Sequence, residues 1–419
     1  MRQSTRLLGL AAVAAPVSIT PSSTLAQPFD FSAVTALANG ALVGENVGSP
    51  VPGFDLLLMK DGVVVYHRSF GNWSLNRVAN ADSSTKTISG AVIMALVDSS
   101  PLPFSLDTKL SDYIPAFAGP KSAITIRQAF SHTSGLSDSI AQGNDTITLQ
   151  QAANLIALSQ LQFTPGLAFL YGGSGMHAAG AVAELAGQQS WNALFNQRIR
   201  DKVGMPSTVY RLTSPTNPRI AGGCDSNAID FARFMEMLRR KGLALNGNRV
   251  LSESAVNAMF TRQTANPITI IFTPIQSTST DGADYGVGVW LGRRDANGKL
   301  LGAIAAGARG FAAWIDFDDG MVGVFATDTT RSSETQGLYE LIQDAAQIAA
   351  RNPLCPGDLD YNGLVLDNDF TRFTLAYDIT DCADPDMPAG CSADLNRDSM
   401  VDDADFAIFV TAYDRLICP

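Results

Sequence analysis

The sequence predicts an α+β fold, in the broad sense α/β: an antiparallel sheet closed by the two ends of one large domain, with a helical region inserted between them. Three observations predict it. The apolar, β-rich runs Phe54 to Lys60 and Val63 to Phe70 flank Asp61-Gly62, a dipeptide that favours a two-residue hairpin. A second pair, Phe311 to Phe317 and Met321 to Thr327, flanks Asp318-Asp319-Gly320. Between the hairpins, over roughly residues 145 to 265, apolar residues recur at helical spacing. Hairpins at both ends of a helical middle favour a single antiparallel sheet.

The elements follow in order. Phe31 to Leu42 is a candidate helix. Gly71 to Asp82 is a polar connection into a buried helix over Thr87 to Val97, whose Ile88, Val92, Ala95 and Leu96 give it a core face. Leu106 to Phe117 reads as a loop with a short helix, and Thr125 to Ser131 as a helical piece. The middle holds helices over Leu149 to Leu158, Met176 to Ala186 and Ala228 to Lys241. Strands return at Tyr285 to Leu291 and Leu301 to Ala306, before the second hairpin. Ser333 to Arg351 closes the domain as a helix.

The 419 residues are 46% hydrophobic and 16% charged, which suits a packed globular domain plus a small one. Residues 1 to 26 read as a secretory signal, with Arg2 and Arg6, an apolar run from Leu7 to Ile19, and small residues up to Ala26. The run is too short for a membrane span, and no other segment reaches the length of one. A secreted protein (periplasmic, extracellular or cell-surface) in an oxidising compartment is expected. The net charge of -11 lies in residues 355 to 419, which carry fourteen Asp against three Arg. The remainder is near neutral, which excludes a nucleic-acid surface. Composition thus sets a boundary near Asn352-Pro353, giving domains 27 to 352 and 353 to 419.

The chemistry is expected at Ser83-Ser84-Thr85-Lys86. Residues three apart share a helix face, so Ser83 and Lys86 can meet. Burial and the positive end of the helix dipole both favour the neutral amine, which can take a serine proton. No Gly-x-Ser-x-Gly pentapeptide exists, so the α/β-hydrolase nucleophile elbow is missing. The three histidines, His67, His132 and His177, fall in a strand, a loop and a helix, and structural roles suit His67 and His177. Tyr171 instead sits on a glycine-rich loop before a helix, where a phenol can shuttle protons.

Ser83-x-x-Lys86, Ser131-His132-Thr133-Ser134-Gly135-Leu136, Pro165-Gly166 before Tyr171-Gly172-Gly173, Ala221-Gly222-Gly223 and Gly307-Ala308-Arg309-Gly310 occur in one order. That order resembles the class C β-lactamase and penicillin-binding-protein-like serine hydrolases, with the esterase branch nearest. The resemblance implies a β-lactamase/transpeptidase-like fold, Ser83 as acylated nucleophile, Lys86 as its proton acceptor and Tyr171 as general base and acid. It implies an oxyanion hole from the Ser83 N–H and the segment Gly307, Ala308 and Arg309. Two positions depart from the family. Gly173 stands where an asparagine is common, and Ala305 where the third motif carries Lys, His or Ser. Loss of that cation or hydroxyl favours neutral esters or amides over carboxylate-bearing substrates, with Arg309 a candidate replacement for the charge. Cys224, beside Gly223, is expected to be a buried, inert thiol. The leading function is an exported serine hydrolase of carboxylic esters. The alternatives are a β-lactamase or D-Ala-D-Ala carboxypeptidase, and a catalytically degenerate scaffold.

The tail repeats itself at an offset of 36 residues. Asp358, Asp360, Asn362 and Asp369 match Asp394, Asn396, Asp398 and Asp405, while Phe373 and Tyr377 match Phe409 and Tyr413. Side-chain oxygens at these loop positions, with the Leu364 and Met400 carbonyls and Asp402 through water, suit structural Ca2+. Ser399, where glycine suits the turn, is expected to weaken the second loop. The pair resembles a dockerin-type repeat, which implies a cohesin-like or cell-surface partner through residues 353 to 419. Cys355, Cys382, Cys391 and Cys418 allow three connectivities. Two keep the repeat symmetry, and Cys355–Cys418 with Cys382–Cys391 is preferred because it clasps the module's termini.

Overall fold

The computed structural model describes residues 29–275, 282–329, 332–388 and 391–416. The expected signal segment and Cys418 lie outside them. The helices are α1 (Ser32–Leu42), α2 (Thr85–Asp98), α3 (Ile126–Phe130), α4 (Leu149–Leu158), α5 (Ser174–Gly187), α6 (Trp191–Phe195), α7 (Asp201–Val203), α8 (Ala228–Arg239), α9 (Glu253–Met259), α10 (Ser332–Arg351), α11 (Asp367–Tyr377) and α12 (Asp403–Tyr413). The strands are β1 (Gly53–Lys60), β2 (Val63–Gly71), β3 (Ala79–Asn80), β4 (Ala168–Leu170), β5 (Val209–Tyr210), β6 (Cys224–Ser226), β7 (Thr269–Phe272), β8 (Trp290–Leu291), β9 (Gly302–Ala306), β10 (Ala312–Asp316) and β11 (Met321–Ala326).

The main sheet has the order β2-β1-β11-β10-β9-β8. Every pairing in it is antiparallel, and β1 lies directly on β11 with Leu57 opposite Val324. The chain ends therefore meet in mid-sheet. Phe54 stacks on Phe325 across that junction with ring centroids 4.3 Å apart, a contact that joins residues far apart in sequence. β1 and β11 are buried along their whole length, because α8 covers the sheet from one side while α1 and α10 pack on one another and on β2 and β11. Continuous apolar strands are what two-sided burial demands.

α2 is buried on every face from Thr85 to Leu96, more completely than a single core face predicts. It lies between the sheet and the helical layer, touching α5, α9 and β9. The small residues Ser89, Gly90, Ala91 and Ala95 allow that crowding. Helix starts in the middle region follow side-chain capping: Thr125, Thr148, Ser190, Asn227 and Ser252 each accept a backbone N–H from the first turn.

Tyr285 to Leu291 differs from the sequence expectation. Only Trp290–Leu291 forms a strand. Gly288 adopts φ +76°, and a Cβ there would run into the Lys86 carbonyl. Its N–H reaches Phe130 O and its carbonyl accepts from the Thr87 hydroxyl at 3.0 Å. The segment is thus laid against the first turn of α2 instead of continuing the sheet. Gly288→Ala combines left-handed strain with backbone overlap. It is expected to cost more than about 3 kcal/mol of stability, read as a fall in the urea midpoint.

The tail forms a second, small core around Leu359, Val365, Phe373, Val401 and Phe409. It sits at the end of the sheet opposite Gly307. Tyr361 packs on Phe29 with centroids 5.2 Å apart and donates to Asp61 in the β1–β2 turn at 3.2 Å. Arg397 and Arg351 both reach Asp319 in the β10–β11 turn. Cys382 is bonded to Cys391, and Cys355 is also disulfide-bonded.

Candidate active site

Two minor pairings frame a pocket at the start of α2. β3 pairs with β6, and Ala81 N–H donates to Cys224 O at 2.8 Å. This anchors the chain just before Ser83 against the Ala221-Gly222-Gly223 loop. β4 pairs in parallel with β7, and Tyr171 N–H donates to Phe272 O at 3.0 Å. β7 was not anticipated: its four residues are all exposed, so it lacks the buried face that marks a strand.

Ser83 lies in a 3-10 turn, Asp82–Ser84, that feeds α2. The neighbouring Ser84 hydroxyl donates to Phe311 O at 3.1 Å, tying the turn to the start of β10. Lys86 is 4% exposed. Its Nζ donates to Ser83 Oγ at 2.8 Å and to Ala221 O at 2.8 Å. The amine is thereby aimed at the serine, with its second bond on a rigid loop. The same Nζ lies over the Tyr171 ring, 4.6 Å from its centroid. Tyr171 is held from behind by Trp290, stacked at 5.5 Å, and by His132 at 4.4 Å.

Gly307 follows β9 and passes so close to Ala81 O that a Cβ would overlap it. Its own N–H is committed to Phe311 O at 2.7 Å, so Gly307 supplies close approach and no oxyanion donor. The N–H groups of Ser83 and Ala308 have no acceptor among the described residues. That pair can hold a developing oxyanion. Ser83, Lys86, Tyr171, Gly307 and Ala308 all line one pocket of about 340 Å³. Arg309 does not. Its backbone N–H and Nε donate to Asp82 Oδ2 at 3.1 and 3.0 Å, so its charge is already matched. Ala305 is buried in the core, and Ala306 faces the pocket instead.

The loss of a side-chain amide at Gly173 is offset in space. A Cβ at Gly173 would overlap Gln142 Oε1, and Gln142 lines the pocket. Its amide donates to Ser174 Oγ at 3.0 Å. Asp138 Oδ1 accepts from Gly173 N–H at 2.6 Å and Ser174 N–H at 3.3 Å, closing the open end of α5. Gln142, Asp138, Phe272 and Arg219 escaped the sequence reading. Arg219 alone carried a signal, two residues before Ala221-Gly222-Gly223. The other three reach the site only through tertiary folding.

His132 and His177 are buried and neutral. Burial, then the nearby Lys86 charge, pushes the His132 imidazole well below its usual range. Gly172 N–H points at its Nδ1 at 3.4 Å. Burial lowers His177 to about 4; its Nε2 bonds Asn217 Oδ1 at 2.8 Å, which makes it a positioning contact. Between pH 6.5 and about 4 the unfolded chain binds a proton at this position that the folded chain refuses. Stability conferred by the neutral ring is therefore full above about pH 6.5 and lost as pH falls towards 4, by up to about 3 kcal/mol. Asp316, raised to about 6 by burial and Asp319, works in the opposite direction. His177→Gln should remove this contribution, so that urea stability rises less, or falls, between pH 4 and 6.5 relative to wild type. His67 pairs with buried Asp55 at 3.0 Å in the β1–β2 sheet. Burial raises the Cys224 thiol well above its ordinary range, so it stays protonated.

In the tail, ligand oxygens of Asp358, Asp360 and Asp369 converge within 4.8 Å, and so do those of Asp394, Asp398 and Asp405. The two loops repeat their internal bonds. Asp369 Oδ1 accepts from Leu359 N–H and Asp360 N–H at 2.7 and 3.0 Å, and Asp405 Oδ1 from Leu395 N–H and Asn396 N–H at 2.7 and 2.9 Å. Gly363 N–H and Ser399 N–H donate to the first aspartate of their loops at 2.8 and 2.9 Å. Such oxygen-only donor sets fit a hard divalent cation such as calcium. Ser399 has φ +75°, the left-handed backbone that Gly363 adopts in the first loop.

A buried lysine bonded to a serine three residues upstream, beneath a two-N–H cradle, defines the serine-hydrolase class built on this fold. The chain belongs to the β-lactamase family, whose model matches residues 41–347. This β-lactamase-fold superfamily of serine hydrolases includes carboxylesterases and penicillin-binding-protein homologues. The chain is 26% identical over 249 residues to penicillin-binding protein 4 of Amycolatopsis lactamdurans, covering 50% of this chain and 65% of that one. The match thus spans less than two thirds of that relative. Among solved structures, a candidate β-lactamase of Bacteroides dorei DSM 17855 superposes with a TM-score of 0.65 at 26% identity, covering 75% of this chain and 98% of the other. A family VIII carboxylesterase shares the fold with a TM-score of 0.60 at 18% identity, covering 75% and 97%.

Proposed function

We propose that this protein is an exported serine hydrolase that cleaves carboxylic esters through an acyl-enzyme on Ser83. The observation that carries the reading is the 2.8 Å bond from Lys86 Nζ to Ser83 Oγ inside the pocket. Lys86 Nζ takes the serine proton while Oγ adds to the ester carbonyl. The tetrahedral oxyanion sits between the Ser83 and Ala308 N–H groups. Collapse expels the alcohol, protonated through Tyr171, and leaves the acyl-serine. Water, deprotonated by Tyr171, then releases the acid and restores Ser83. Esters are favoured because the site lacks the third-motif cation: position 305 is alanine and Arg309 is held by Asp82.

A β-lactamase or D-Ala-D-Ala carboxypeptidase is the second reading. Gln142 favours it, because its carboxamide stands where Gly173 lacks one. Exposure of the mature protein to a fluorophosphonate and to a penicillin, with adducts mapped by peptide mass spectrometry, separates the readings. Fluorophosphonate labelling of Ser83 without penicillin turnover or adduct supports the esterase. Turnover or a stable penicilloyl adduct supports the second reading. No adduct with either reagent leaves a degenerate scaffold.

The same proposal assigns structural calcium to the two acidic loops, held by Asp358, Asp360, Asn362, Asp369 and the Leu364 carbonyl, and by Asp394, Asn396, Asp398, Asp405 and the Met400 carbonyl. Asp402 acts through water. The cation would neutralise converging carboxylates and stiffen each loop. Residues 353 to 419 would then present the enzyme to a cohesin-like or cell-surface partner.

A further inference from the structure

The pocket-lining charges are not all matched. Lys86 is engaged by Ser83 and Ala221 O. Asp82 is held by Arg309. Asp138 takes two backbone N–H groups and the Gln142 amide. Arg219 also lines the pocket, and it is exposed. Its backbone is fixed, with N–H donating to Leu212 O at 2.7 Å and the carbonyl accepting from Gly222 N–H at 3.2 Å. Among the described residues its guanidinium has no hydrogen bond and no ion pair. Its Nε lies about a van der Waals contact from the Cα substituent position of Gly222, and that same position faces the Asp82 carbonyl. The guanidinium therefore stands on the Gly222 side of the nucleophile, next to the turn that holds Ser83. The other wall is apolar: Tyr171, Trp290, Phe272 and Ile275.

We infer that Arg219 selects esters that carry a carboxylate a few bonds from the scissile carbonyl, the apolar wall holding the remainder of the substrate. This rests on the reading of Ser83 as an ester-cleaving nucleophile. Guanidinium is suited to the task because its planar fork matches a carboxylate with two parallel N–H bonds. Gly222, which has no side chain, leaves the space between the fork and the nucleophile open.

The test uses two matched pairs of esters with the mature protein. Monophenyl adipate against phenyl hexanoate places the charge on the acyl side. 4-Acetoxybenzoate against its methyl ester places it on the alcohol side. The selectivity is kcat/KM of the anionic member over that of the neutral one. Wild type should favour the anionic member of one pair by roughly tenfold, with the difference in KM. Arg219→Gln should bring that ratio near one, and Arg219→Glu below one, while Arg219→Lys keeps part of it. Equal ratios in wild type and Arg219→Gln, with Ser83 still labelled by a fluorophosphonate, overturn the role of Arg219 and leave the esterase standing. Labelled Ser83 without hydrolysis of any of the four esters overturns it too, unless adipate slows labelling in wild type and not in Arg219→Gln. Absence of Ser83 labelling removes both.

Discussion

Ser83→Ala is expected to abolish ester hydrolysis, lowering kcat by about 10⁴-fold or more. The substitution deletes the hydroxyl to which the Lys86 amine donates, Oγ at 2.8 Å. Among the described residues lining the pocket there is no second serine, threonine or cysteine. Ser84 is buried and spends its hydroxyl on Phe311 O, and Cys224 is buried and protonated. Lys86→Met should cost nearly as much, because residues acting as a unit fail together. The double variant should be little worse than either single one, whereas independent residues would multiply their losses. Both variants should keep wild-type circular dichroism, since methionine fills the buried stem of Lys86 and alanine removes one half-buried oxygen. Steady-state rates with a phenyl ester and fluorophosphonate labelling give the check. Turnover in Ser83→Ala within tenfold of wild type would place the nucleophile elsewhere.

Calcium is expected to stabilise the C-terminal module by about 4 kcal/mol per site when present at a thousand times its dissociation constant. The loops carry their acidic side chains inward. Burial, with neighbouring Asp369 and Asp360, already raises the Asp358 carboxyl to about 6. Without a cation the converged carboxylates repel one another, opposed by a small apolar core, the disulfide bonds and a few contacts with the β1–β2 and β10–β11 turns. Isothermal titration should resolve two events. Asp358→Ala should remove one and Asp394→Ala the other, the second site being the weaker because Ser399 holds φ +75°. Thermal unfolding followed in calcium and in chelator should separate by several degrees. Wild-type protein that evolves no heat with calcium and melts identically in both conditions contradicts the assignment.

Much of the fold was legible locally. Asp61-Gly62 and Asp318-Asp319-Gly320 marked both hairpins, and the structure has β1–β2 and β10–β11 there. Turn chemistry and continuous apolar runs are short-range properties, so a sequence displays them. The Ser83-x-x-Lys86 spacing was legible for the same reason: one helical turn fixes it. Tyr285 to Leu291 misled because its glycines looked like strand punctuation, whereas Gly286 and Gly288 accommodate the backbones of α9 and α2. Nothing within seven residues records how closely another helix will pass.

The hairpins, the helical middle, the pair of acidic loops and the order of the Ser83, Lys86 and Tyr171 segments were readable along the chain. Each follows from contacts among residues near in the chain. Which charges face the pocket depended on how distant loops come together. Arg309, between Gly307 and Gly310 after the late strand, is drawn to Asp82, 227 residues away. Gln142 is carried into the space at Gly173 by a loop 31 residues upstream, and Arg219, in the same pocket as Ser83, has no side-chain partner among the described residues. An ion pair depends on distance in space and on desolvation, and neither quantity is written along the chain. The residues proposed to perform the chemistry were therefore readable from their spacing, while the charges that surround them emerged only once the loops were folded together.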